Sequence, residues 1–387
     1  MAIVYLYRPL SEGQTWTTAQ VRATARAIAI TFIEHLYRVG EFSITLHPSD
    51  PICEYIQEND IVSVDGAYFG IVRAIQQQQT GTGQQVEITG DDLKGMLSQR
   101  ITLYPQAAIQ EGLQGYDAIK DVSTETLVKY FVNNNCVSAA NSKRNIYGLT
   151  IAPDQQRGLE NDQYMTRFEV LTDLLEKNLQ PQNMGYSITP DFQNNQYVFD
   201  VFTGADHSAN QYENNRVIFD VKLKTLTQLE YFFSARSYIN TFYASLSKSR
   251  NEDETLTCMY YRDGEEESEG ISRFETHLNI SANLPDAQLY ENMRKYALKD
   301  ATEYERSEEL TVLTTEKYRY GVDYRLGDTV TVQNRGVLFY RLKQQLNVQI
   351  VSVTHQWVGK TITHELSFGP GKISRFDELK REIKNGR

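Results

Sequence analysis

Tyr320-Gly-Val-Asp-Tyr-Arg-Leu-Gly-Asp-Thr-Val-Thr-Val332 is the stretch on which the reading of this chain turns. Its second half is a turn running into a strand. Gly327 tolerates the positive φ of a tight reversal, and the Asp328 side chain can hold the backbone of its own turn. Val330 and Val332 then share one face of a strand, with Thr329 and Thr331 on the other. An Ile/Val-rich return segment follows. A helical stripe precedes it, with Leu289, Met293, Tyr296 and Ala297 at helical spacing after Pro285 in the favoured first position. Nothing in the stretch has the make-up of a catalytic loop.

Working outward, β character runs from Leu310 to about Phe368, and a basic tail follows with Phe376, Leu379 and Ile383 at helical spacing. Residues 222–310 read as an α+β unit. Its strands are Asn240–Leu246, Thr255–Tyr261 and Ser272–Ile280, the last two joined by an acidic tip. Residues 101–221 read as another α+β unit, with helices after Ser123 through Val132 and from Tyr164 to Leu179. Strands Tyr197–Phe202 and Arg216–Val221 follow them.

Residues 1–100 are again β. Phe42, Ile44 and Leu46 alternate with polar neighbours, and Asp65-Gly66 between Ile61–Val64 and Tyr68–Val72 is a strong hairpin signal. The polar stretch Gln76–Gln85 reads as a long hairpin tip, Asp91–Leu97 as a short helix with acids in its first turn, and the Ala-rich residues 19–30 as helical before a strand. The expected organisation is β, α+β, α+β, β.

Composition sets limits. A chain of 387 residues is too long for one ordinary core. The hydrophobic fraction of 40% and charged fraction of 23% are those of a globular protein, and no apolar run is long enough to span a bilayer. The first residues lack a basic region and cleavage site, so synthesis and folding in a cytoplasm are expected. A net charge of −11 without Lys/Arg clusters before the last dozen residues disfavours nucleic-acid binding. Twenty-five tyrosines suit half-buried sheets and subunit interfaces.

The chemistry-bearing residues do not assemble into a known motif. Cys53, Cys136 and Cys258 are odd in number and far apart, so reduced, packed thiols are expected. Six histidines include the adjacent pairs Asp206-His207 and His364-Glu365, but none has helical metal-ligand spacing. The carboxylate pairs Asp91-Asp92 and Glu265–Glu267 would diverge in a strand or sit in a solvated loop. Gly81-Thr-Gly83 lacks a third glycine and a following helix, and Asn279-Ile-Ser281 reads as a chance glycosylation tripeptide. No catalytic, cofactor or metal residue is assigned, and no enzyme activity is expected.

Four ordered stretches resemble siphophage tail-hub, or baseplate hub, proteins. Val39-Gly-Glu-Phe-Ser-Ile-Thr-Leu46 is similar to their early strand. Gly70–Ile75 followed by Val86–Arg100 is similar to their hairpin and the Gly-x-Asp-Leu helix start. Tyr320–Val332 is similar to their late Tyr-x-x-Gly-x-Asp-Tyr-x-Leu-Gly-Asp-x-Val-x-Val segment, and Ile362–Gly369 to their closing strand. Gly40, Glu41, Phe42, Gly90, Asp92, Leu93, Arg100, Gly321, Asp323, Leu326, Gly327, Asp328 and Val330 carry the motifs, in structural roles.

The resemblance implies a mainly β, α+β fold with two tail-tube-like antiparallel β-barrels and two intervening α+β domains. The expected domains are 1–100 and 311–387 for the barrels, the second with a C-terminal helix, and 101–221 and 222–310 between them. It implies a homotrimeric ring at the virion tail tip that extends the tail tube. Its implied partners are a distal tail protein or tail-tube ring, the tape-measure protein, and tail fibre or receptor-binding proteins. DNA would pass through without specific binding, in an acidic lumen. No cell-wall enzyme domain is expected after Phe368. The alternative reading is a carbohydrate-binding or cell-surface receptor-binding module, against which the wide separation of Trp16 and Trp357 weighs. A two-carboxylate glycoside hydrolase is a third.

Overall fold

The computed structural model describes residues 2–11, 21–80, 83–104, 115–235, 238–247, 255–261, 267–280, 293, 307–333, 345–358 and 361–369. The expected helices after Pro285 and around Phe376, and Trp16, lie outside them, Met293 apart. Two compact units are present. The first comprises Met1–Glu230 and Thr311–Gly369, the second Tyr231–Leu310 and Pro370–Arg387.

The N-terminal strands of the first unit are β1 (Ile3–Tyr7), β2 (Ala23–Arg26), β3 (Ala29–His35), β4 (Glu41–Leu46), β5 (Ile61–Val64), β6 (Tyr68–Thr80) and β7 (Gly83–Asp92), with short helices α1 (Ile52–Tyr55) and α2 (Gly95–Ser98). They pair in the order β3-β4-β7-β6-β5-β1-β2. Asp65 and Gly66 both take positive φ, as a two-residue turn twisted with its strands requires. Phe42, Ile44 and Leu46 are buried in alternation along β4, over a core that includes Val4, Leu6, Ile30, Val62 and Ile88.

Two local expectations fail here and a third is sharpened. The Ala-rich segment is strand, not helix. Alanines 23, 25, 27 and 29 recur every second residue, and Ala25 and Ala27 face the core while Thr24 and Arg26 face out. The period was two, and Ala content misled. Asp91 and Asp92 end β7 instead of opening a helix, because β6 on one side and β4 on the other extend the ladder to them. The stretch expected as a hairpin tip is a hairpin, with Gln76–Thr80 and Gly83–Gln85 already in its paired strands.

The middle segment holds β8 (Asp117–Ser123), α3 (Thr124–Val132), β9 (Leu149–Ile151), β10 (Glu160–Thr166), α4 (Leu171–Leu179), β11 (Met184–Asp191) and β12 (Gln196–Thr203). Ser123 caps α3 as expected, its Oγ accepting from the Thr126 amide at 3.2 Å. The second helix is shorter than expected. Tyr164 lies in β10, Phe168 is at φ 58° and exposed, and α4 starts only at Leu171. Leu171, Leu174, Leu175 and Leu179 pack with Leu127 and Phe131 of α3 over Tyr186, Phe199 and Val201 of β11 and β12.

Residues 216–221 shorten to β13 (Ile218–Phe219), where Val217 and Phe219 are buried and Val221 is exposed. Strands β14 (Leu226–Ser234) and β18 (Ser307–Thr314) run across the boundary between the units. In the second unit, β15 (Thr241–Ser247) lies between β16 (Thr255–Tyr261) and β17 (Glu275–Ile280). The two strands expected to flank the acidic tip are therefore separated by β15.

The C-terminal block adds β19 (Thr329–Gln333), β20 (Gln345–Val358) and β21 (Thr361–Phe368). Here the two outer blocks meet. β20 pairs antiparallel with β3 from Ser352↔His35 to Val358↔Ala29, and Trp357 of β20 is buried in the N-terminal core. The result is one thirteen-stranded sheet, and among the described residues no pairing joins its two ends. The fold is mainly β.

Candidate functional site

The two motif segments converge on one cavity of about 1090 Å³ in the first unit, lined by Asp92, Leu93, Gly321, Asp323, Leu326 and Asp328 among others. The glycines of the early motif let its walls close. A Cβ at Gly40 would sit 2.7 Å from Asp92 Oδ2, and one at Gly90 would overlap the Ile71 carbonyl and lie 2.9 Å from Phe42 Cε1. Phe42 stacks on Phe32 with centroids 6.0 Å apart.

Asp92 is buried, and burial pushes its carboxyl up against the opposing pull of Lys94. Its Oδ1 accepts from the Lys94 amide at 3.0 Å, and Lys94 Nζ lies 3.4 Å from Oδ2. That ammonium also donates to the His35 carbonyl and stands 5.1 Å from the centroid of the Tyr186 ring.

The late motif is held by its carboxylates. Asp328 Oδ2 accepts from the Arg325 amide at 2.7 Å and Oδ1 from the Ala205 amide at 2.8 Å, with His207 Nε2 3.5 Å from Oδ2. Asp323 Oδ2 accepts from the Arg319 amide at 2.7 Å. Gly321 and Gly327 take φ of 82° and 92°. Leu326 packs on the middle core, and Val330 is fully buried opposite Val348. Glu41 is exposed at the start of β4, and Arg100 lies apart from the cavity, with Nε donating to the Arg144 carbonyl at 3.1 Å.

The most connected group was not singled out by sequence. Glu34 of β3 lines the cavity together with Tyr320. Its Oε2 accepts from Tyr320 OH at 2.9 Å and lies 2.7 Å from Nε2 of the fully buried His355. His355 Nδ1 in turn is 2.9 Å from His364 Nδ1. That N···N contact holds one proton, so one ring donates and the other accepts. Burial raises the Glu34 carboxyl, but hydrogen bonds from His355 and Tyr320 and the charges of His355 and Lys94 outweigh it and leave it below the ordinary value. Burial, then the charge of His355, lowers His364 to about 4. Burial, then Glu34, raises Tyr320 well above a normal phenol, so it stays a neutral donor.

A signal for this cluster existed. Residues 355 and 364 each lie three positions outside the Val358↔Thr361 pair, and the register of β20 and β21 sets them face to face. The partner Glu34, far earlier in the chain, had no such signal.

The cavity carboxylates are engaged. Asp328 holds the Arg325 and Ala205 amides, Asp92 faces Lys94, and Glu34 faces His355 and Tyr320. Among the described residues no group of three His, Cys, Asp or Glu is placed to hold a metal, and Cys53 and Cys136 are free thiols. The arrangement fastens the early motif, the late motif and the β3–β20 seam to one another.

The fold is that of a phage tail protein. It is similar to the 43 kDa tail protein of prophage MuSo2 from Shewanella oneidensis, at a TM-score of 0.51 and 12% identity over 95% of this chain and 98% of that one. A tail protein from Neisseria meningitidis MC58 matches at 0.49 and 13%, over 97% and 98%. An E. coli type VI secretion component, described as similar to the phage T4 tail proteins gp27 and gp5, matches at 0.43 and 10%, over 95% and 77%. Residues 18–370 match the model of the Siphovirus ReqiPepy6 Gp37-like proteins, and the chain belongs to that family. No curated protein matches it by sequence.

Proposed function

We propose that this protein is a structural component of the tail tip, or baseplate hub, of a long-tailed phage or prophage. Copies form a trimeric ring that continues the tail tube and connects it to the host-recognition apparatus. The observation that carries this reading is the β3–β20 pairing, which sets the two outer β blocks side by side in one sheet. Two such blocks per copy give six quasi-equivalent β units per trimer, a number that seats on a six-fold tube ring. Residues 1–100 and 311–387 supply the tube-like units, and 101–221 and 222–310 the peripheral ones.

The ring adjoins a distal tail protein or tube ring, with the tape-measure protein and receptor-binding proteins as further partners. Assembly takes place in the host cytoplasm. DNA passes without being held, because a net charge of −11 repels phosphate over a Debye length of about 8 Å. The alternative of a carbohydrate-binding module gains nothing from Trp357, which is buried.

The mass of the purified protein in solution, alone and with its tail-tube partner, tests the reading. A trimer under either condition supports it, and a monomer under both overturns it. A strongly basic lumen in the assembled ring would remove the DNA-passage part.

A further inference from the structure

We propose that Ile271 and the glutamates around it form a knob that seats on an arginine-rimmed apolar patch around Phe168 of a neighbouring copy of this chain. The inference rests on the ring reading for the presence of several copies and adds a head-to-tail contact by which they meet.

The patch is built on an unfavourable backbone. Phe168 is 55% exposed at φ 58°, a conformation that a bulky side chain rarely adopts. The turn is firmly held all the same. The Phe168 amide donates to the Thr102 carbonyl at 2.9 Å, the Thr102 amide to the Glu169 carbonyl at 2.8 Å, and the Leu171 amide to the Arg100 carbonyl at 2.9 Å. Strain that the surroundings keep in place, here to present an aromatic ring at the surface, points to a contact site. The bridge Ile101↔Val170 sets two more exposed apolar side chains in the same turn. Cations rim the group. The Arg167 guanidinium lies 4.8 Å from the Phe168 ring centroid, and Arg144 Nη2 donates to the Ile101 carbonyl. The Glu169 carboxylate is engaged within the turn, accepting from Tyr164 OH at 3.2 Å and Thr166 Oγ1 at 2.9 Å, with Lys177 Nζ at 3.6 Å. Aromatic residues and arginine are the types enriched where proteins meet.

The knob has the converse make-up. Ile271 is 98% exposed in the middle of a single 3-10 turn, Gly270–Ser272. The turn closes through the Ser272 amide on the Glu269 carbonyl and the Arg273 amide on the Gly270 carbonyl, both at 3.2 Å. Glu267, Glu269 and Glu275 are exposed around it, and Arg273, which bonds Glu267 and Glu275, offsets one of their three charges. An apolar knob among carboxylates matches an apolar patch among guanidiniums. Because one chain carries both halves of the match, the occupant of the patch is a second copy. The two surfaces are different, so the contact is heterologous: it repeats in one direction from copy to copy and closes as a ring at three-fold symmetry.

The test is a charge exchange between the two surfaces. Full-length Arg167→Glu, Glu269→Arg, the chain carrying both changes, and Ile271→Asp are compared with the native chain by sedimentation velocity across a dilution series, in the condition where the native chain forms its ring. Each single reversal sets like charges together and should weaken association about tenfold. Reversing both in one chain restores opposite charges at every contact and should recover the native association. Ile271→Asp puts a charge at the centre of the contact and should weaken it at least as much. The circular dichroism spectrum of each variant should match the native one, since all three side chains are at the surface. Native-like association of the single variants, or a weakening that the double variant does not reverse, would overturn the contact while leaving the ring reading intact. A native chain that stays monomeric with and without its tail-tube partner would overturn both.

Discussion

The two motif segments that meet at the cavity use the same residue types in opposite ways. In the early segment, Gly90 and Gly40 are glycines because neighbours leave no room for a Cβ, and Asp92 is a buried carboxylate beside Lys94. In the late segment, Gly321 and Gly327 are glycines because the backbone takes positive φ, and Asp328 accepts from two backbone amides, Arg325 of its own turn and Ala205 of the middle segment. Glycine answers a packing demand in one place and a conformational demand in the other. Aspartate answers a charge in one and backbone donors in the other. A short motif therefore names a place in the fold without naming the physical reason for its residues.

The contrast is sharpest at the glycines. Gly90→Ala should destabilise by about 3 kcal/mol, because the added methyl meets a carbonyl and an aromatic ring inside a packed sheet. Gly321→Ala should cost about 1 kcal/mol, since no atom lies within 4 Å of its Cβ and only the left-handed backbone opposes it. Urea unfolding of both variants checks this, and equal losses would remove the distinction between the segments.

Glu34→Ala comes next. It leaves His355 buried without its carboxylate and Tyr320 without its acceptor, a loss of about 2 kcal/mol. Because Glu34 and His355 stand on strands from opposite ends of the chain, hydrogen exchange should show the loss at the β3–β20 seam first. Uniform destabilisation would argue that the seam has no local dependence on this pair.

The same cluster sets a pH response. His35 is lowered to about 4 by burial, then by Lys94 and Arg38, and His364 to about 4 by burial, then by His355. The unfolded chain protonates its histidines near the ordinary value of about 6.5. Between these limits the unfolded state binds more protons, so stability falls as pH falls from about 6.5 towards 4. The lowered Glu34 carboxyl acts in the same direction below its ordinary value. The urea midpoint measured against pH should slope accordingly, with a shallower slope for His364→Asn. An unchanged slope in that variant would exclude His364 as a source.

A smaller effect is expected from Asp328→Asn. The amide keeps one acceptor oxygen where the carboxylate used two, so either the Arg325 or the Ala205 amide loses its partner at a cost of about 1 kcal/mol. Thermal unfolding checks it, and a loss as large as that of Gly90→Ala would mean that this carboxylate does more than hold the Arg325 and Ala205 amides.

Much of the fold was legible. The alternation of Phe42, Ile44 and Leu46, the Asp65-Gly66 turn and the Ser123 cap are local signals, and each appears as read. Local signals also misled where two templates competed. Alternating alanines carried helix-forming composition on a strand period, and Tyr164–Leu179 joined a strand, the left-handed Phe168 and a short helix under one apolar pattern. At the cavity, Asp328 and its turn were readable from sequence, whereas the Glu34–His355–His364 chain was not, because its first and last members are 330 positions apart (364 − 34).

Sequence alone determined the β character of both ends, the turn chemistry of Gly327-Asp328, the acidity of the chain and the family resemblance. Each of these depends on neighbouring residues or on a simple count of charges. Tertiary structure decided that β20 lies against β3, that Trp357 fills the N-terminal core, and that the two motifs face one cavity. Those outcomes follow from pairing strands distant in the chain, where backbone hydrogen bonds and buried surface select a partner that no local pattern specifies.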